Sequence, residues 1–109
     1  MKTIIRYLSK SDFDTFKKTL LSVNDDFDST EQYALTITSK SKTIIVICND
    51  PSLTKNEKDI ILQHERQHAR GVSGEEDADF GALDNLNDKA KDLLIQNWKG
   101  RHGHDYEYD

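Results

Sequence analysis

The sequence predicts an α+β fold, a small β-sheet packed on helices, and three observations support that class. Strand-like runs are confined to the first half of the chain, at residues 2–8, 33–38 and 43–48. Capping signals and apolar residues at helical spacing dominate the second half. At 109 residues there is room for a single domain, residues 1–109, so any site must be assembled from one core.

Residues 2–8 are rich in branched and aromatic side chains, and the polar Ser9-Lys10-Ser11 closes that strand. A helix should follow, with Ser11 as N-cap, Asp12 and Asp14 in its first turn, and Phe13, Phe16, Leu20 and Leu21 at helical spacing. Asn24-Asp25-Asp26 is its expected end. Residues 33–38 alternate as a half-buried strand, with Leu35 and Ile37 on one face and Thr36 and Thr38 on the other. A turn at residues 39–42 leads into residues 43–48, which are apolar on both faces and therefore belong more centrally in the sheet. Pro51, which has no N–H to give a ladder, ends that strand.

Thr54 and Glu57 have the form of a capping box, and a helix should run from Lys55 to about Arg70. Gly71 is placed to stop it. Ser73 and Glu76 form a second expected capping box, opening a short helix from Gly74 to about Leu83. A last helix over residues 85–98 should bury Leu86, Ala90, Leu93, Leu94 and Trp98. The tail, residues 101–109, lacks apolar periodicity and is expected to be mobile.

Bulk properties narrow the class of function. A net charge of -5, with basic residues only in short pairs such as Lys17 with Lys18, argues against nucleic acid as a partner. No run is long enough to span a bilayer, and Arg6 arrives too early for a secretory h-region, so neither membrane insertion nor secretion is expected. The lone Cys48 lies in an apolar strand, where a thiol usually serves as a small buried hydrophobe, and a cytoplasmic setting fits.

Chemistry concentrates in His64-Glu65-Arg66-Gln67-His68, an H-E-x-x-H sequence inside the long helix. Histidines four apart lie on adjacent turns of one face, so both imidazoles can converge on one Zn2+ ion, with Glu65 beside them as general base. A catalytic zinc usually takes a third protein ligand and leaves the fourth position to water. Glu75-Glu76-Asp77-Ala78-Asp79 follows directly. Glu75 and Asp79 share a helix face, which suits Glu75 as third ligand and Asp79 as the acceptor that fixes a ligand histidine's tautomer. Glu76 and Asp77 are lesser candidates. His102, His104 and Tyr106 in the tail are candidates for an oxyanion-stabilising group or an extra ligand.

These residues resemble the zincin metallopeptidases, and within them the gluzincins, in which H-E-x-x-H is followed by a helix carrying E-x-x-x-D. The resemblance spans about residues 54–84 and implies a minimal zincin-like core: a small mixed sheet, an active-site helix and a second helix supplying glutamate. The interval from His68 to Glu75 is short for that group. The string through Gly71 also resembles the opening of the metzincin pattern, but its third histidine would fall at Gly74, and the one methionine is Met1. Peptide deformylase-like enzymes use a cysteine as third ligand, for which Cys48 is the available residue. The expected function is zinc-dependent hydrolysis of a peptide or protein substrate by a small metallopeptidase. The competing expectation is a non-catalytic metal-containing binding or inhibitory protein that acts on a partner protein, its metal site closed by a fourth protein ligand.

Overall fold

A computed structural model describes residues 2–23 and 33–108. Strand β1 (Lys2–Leu8) leads into helix α1 (Lys10–Val23), and a hairpin of β2 (Ala34–Thr38) and β3 (Lys42–Cys48) follows. Helices α2 (Lys55–Ala69), α3 (Glu75–Leu83), α4 (Asp88–Gln96) and α5 (Trp98–His102) complete an α+β fold. None of the described helices is long and apolar enough to cross a membrane.

The sheet is mixed, in the order β1-β3-β2, with β1 parallel and β2 antiparallel to β3. Its central strand is apolar on both faces because both are covered. Val46 and Cys48 pack with Phe13 of α1 and Leu35 of β2, whereas Ile45 and Ile47 pack with Ala34 and, from α2, Ile61 and Leu62. The later helices close a separate core around Ile60, Leu83, Ala90, Leu94 and Trp98. Thus α2 is sandwiched between the sheet and the α3–α5 layer, which is why several of its polar residues are buried.

Local chemistry sets the element ends, and in four places differently from expectation. The N-cap of α1 is Ser9 rather than Ser11: the Ser9 hydroxyl accepts from the Asp12 N–H at 3.1 Å, since β1 runs to Leu8 and the helix starts without an intervening turn. Leu21 is 43% exposed, being on the side of α1 away from the sheet. The expected Ser73–Glu76 capping box does not form. Gly74 is the N-cap of α3 and Glu76 pairs with His104 instead. The last helix begins later, because Asn87 caps α4 through the Ala90 N–H, and it is interrupted at Asn97 before α5. The expected end of the first helix at residues 24–26 lies outside the described residues.

Candidate metal centre

Two pieces of local chemistry fix where α2 begins and ends, and so which way its histidines face. At the N-terminus the capping box is complete, Thr54 and Glu57 each accepting the other's backbone N–H, at 3.2 and 2.9 Å. At the C-terminus Gly71 takes a left-handed conformation, φ 98°. There the Val72 N–H bonds to the Gln67 carbonyl and the Gly71 N–H to that of His68, both at 3.0 Å, the Schellman pattern. This turn brings the Val72 carbonyl back over the helix, where it accepts from His68 Nδ1 at 2.7 Å. It also sends α3 back along α2 with Glu75 in its first turn.

Three potential ligand groups then meet. His64 Nε2 and His68 Nε2 are 3.0 Å apart, Glu75 Oε2 is 2.9 Å from the first, and Glu75 Oε1 is 3.1 Å from the second. The outer nitrogens decide what this contact means. His64 Nδ1 faces Asp79 Oδ1 at 2.7 Å and His68 Nδ1 faces the Val72 carbonyl, and both partners can only accept. Each neutral ring therefore carries its proton on Nδ1 and turns the Nε2 lone pair inward. Two imidazole lone pairs and a carboxylate converge, an arrangement that calls for a cation or a proton. Ligand atoms about 2.0–2.1 Å from a tetrahedral zinc lie roughly 3.3 Å from one another, close to the edges of this triangle. The residues present fit a zinc ion.

Electrostatics make the pocket favour positive charge. Burial pulls the His64 pKa down, but the ring's hydrogen bond to Asp79 and the charges of Asp79, Glu75 and Glu65 outweigh it and hold that pKa above its ordinary value. Asp79 is fully buried, and burial pushes its pKa up. The hydrogen bonds and charges of His64 and Arg101 prevail and bring it down to about 2, a permanent anion behind the ligand histidine. Arg101 reaches Asp79 through Nε at 2.8 Å and Nη2 at 3.0 Å, and His102 Nε2 does so at 2.6 Å.

No known family model, curated protein or solved structure matches this chain.

Of the residues expected from the sequence, His64, Glu65, His68, Glu75 and Asp79 come together. Ligand-capable atoms of His64, Glu65 and His68 lie within 4.8 Å of one another, so Glu65 and Glu75 both stand near the histidine pair. Glu75 is the better third ligand because its oxygens touch both Nε2 atoms, although its side chain is 67% exposed at the cleft mouth. Glu65 is buried, and its carboxylate accepts from the Thr36 hydroxyl.

The tail candidates are engaged elsewhere. His102 stands behind Asp79, His104 pairs with Glu76 at 2.5 Å, and Tyr106 packs on Phe80 and Trp98. Cys48 is buried on the α1 side of the sheet, away from the α2 side, and burial raises its thiol pKa. Sequence reasoning missed Thr36, Arg101 and the Val72 carbonyl. Thr36 and Arg101 carry no local signal, since Thr36 lies 29 residues from Glu65 and Arg101 lies 22 from Asp79, whereas Val72 is a neighbour of His68 whose role is set by the conformation of the Gly71 turn. A cleft of about 160 Å³ opens over the cluster, walled by Tyr33, Ile61, Glu65, Glu75 and Arg101.

Proposed function

We propose that this chain is a small zinc metallopeptidase of the zincin type, acting on a peptide or protein substrate in a cytoplasmic setting. One observation carries the reading: the Nε2 atoms of His64 and His68 and the Glu75 carboxylate converge in a triangle, with both outer nitrogens held by acceptors. His64, His68 and Glu75 would hold the ion. When bound, zinc supplies a water acidified toward a pKa of about 7 and polarises a carbonyl.

The chain's own groups do the rest. Glu65, beside the pair, receives the water proton and returns it to the leaving amine. Asp79 holds His64 in the tautomer that presents Nε2, and the Val72 carbonyl does the same for His68. Glu75 touches both Nε2 atoms while the Glu65 carboxylate is held by Thr36, which supports a site of three protein ligands with one position left open. The cytoplasmic setting is supported by the lone, buried Cys48.

Metal analysis with peptide hydrolysis tests this. Purified protein should hold about one zinc per chain, and His64→Ala or His68→Ala should lower that sharply. Glu75→Ala should lose far more affinity than Glu76→Ala. Glu65→Gln should keep zinc and lose turnover by a factor of about 100 or more. Zinc-reconstituted wild type without metal, or Glu65→Gln with full turnover, refutes the reading.

A further inference from the structure

Strand β2 presents one hydroxyl to the helix that carries the histidines. Thr36 pairs with Ile45 and faces the α2 side of the sheet, along with Ala34, Ile45 and Ile47. A β-branched residue suits that position, and valine would fill it without a hydroxyl to desolvate. The hydroxyl is satisfied by Glu65: it donates to Oε2 and lies 3.4 Å from the Glu65 backbone carbonyl. Glu65 is only 7% exposed, and among the described residues Thr36 is the one hydrogen-bond donor to its carboxylate.

Glu65 stands where it has two possible fates. Its carboxylate is near enough to His64 and His68 to compete with Glu75 for a bound ion. Were it to join the ligands beside the water that a catalytic site keeps, it would raise the coordination number and would no longer be free to accept a proton. Held through Oε2 by Thr36, the same carboxylate keeps Oε1 for the proton. We propose that Thr36 is a positioning residue that sets this choice: its hydroxyl holds Glu65 as a proton acceptor beside the ligand triangle and out of the coordination shell.

The inference rests on the hydrolase reading, so its test includes a measurement that needs no turnover. Wild type, Thr36→Val and Thr36→Ser are loaded with Co(II), whose visible absorption weakens as coordination number rises, and are assayed in parallel on a fluorogenic peptide library. Thr36→Val should weaken the Co(II) absorption, and adding Glu65→Ala should restore it. Its kcat should fall roughly 10- to 100-fold with KM within about twofold, the scale expected when a catalytic group is misplaced by about 1 Å. Thr36→Ser should recover both signals to within about threefold. An unchanged Co(II) spectrum in Thr36→Val, or Thr36→Ser as defective as Thr36→Val, overturns the inference. If Co(II)-loaded wild type hydrolyses nothing, the hydrolase reading falls while the spectra still decide the role of Thr36. A wild type that takes up no Co(II) overturns both.

Discussion

At the scale of single residues, Asp79 is the most constrained group in the molecule. It is fully buried, yet three cationic or imidazole partners satisfy it: His64, Arg101 and His102. Its pKa falls from 3.8 to about 2 on folding. A depressed carboxylate contributes stability that is present above the unfolded value and is lost as pH falls through the folded one. The difference corresponds to roughly 2 kcal/mol. Metal-free protein should therefore lose about that much stability between pH 3.8 and about pH 2, as read by urea unfolding across a pH series. Asp79→Asn should flatten this acid limb and weaken zinc binding by about 10- to 100-fold, because a neutral amide replaces the charged acceptor behind His64. An unchanged acid limb in Asp79→Asn would remove Asp79 from the account.

At the scale of elements, the site depends on how closely α3 approaches α2. Gly81 of α3 lies directly over Gln67 of α2, and a Cβ built there would sit 2.4 Å from Gln67 Oε1. Gln67 is buried, which limits where its amide can swing. Gly81→Ala should therefore push α3 outward, carrying Glu75 and Asp79 with it. The expected cost is about 1–3 kcal/mol, with weaker zinc binding. Once Gln67→Ala has removed the clash, the same Gly81→Ala change should become neutral or stabilising by up to about 1 kcal/mol, through alanine's helix propensity. A double-mutant cycle reads this coupling, and additive effects would show that the two helices do not meet at this point.

At the scale of the whole molecule, the candidate site sits where α2 joins two cores. Helix α2 packs against the sheet through Ile61 and Leu62 and enters the core of the later helices, around Trp98 and Leu94, through Ile60. Zinc held by His64, His68 and Glu75 would tie α2 to α3, and an ion that binds only the folded state stabilises it by mass action. At a free concentration about 1,000 times Kd the gain is about 4 kcal/mol, which for a domain of this size raises Tm by more than about 10 °C. Thermal melts with zinc and with chelator should differ by that amount, and His64→Ala should abolish the difference. Equal melting temperatures in wild type would argue that no ion bridges the helices.

Much of this could be read from the sequence, because the signals are local. The capping box at Thr54, the stop at Gly71 and the four-residue spacing of His64 and His68 act within one or two turns of chain, where geometry follows from residue order. The apolar run of β3 likewise marked the central strand, since only a strand covered on both faces can be apolar on both. Tertiary structure decided what spacing cannot encode. Ser9 capped α1 ahead of Ser11 because the helix starts directly after β1 without an intervening turn, and Glu76 turned to His104 once Gly74 had taken the cap. The partners of the candidate site came from far along the chain: Thr36 beside Glu65, and Arg101 and His102 behind Asp79. Their side chains meet only because the sheet and α5 pack on opposite sides of the same buried helices, and long-range packing leaves no periodic mark in a sequence.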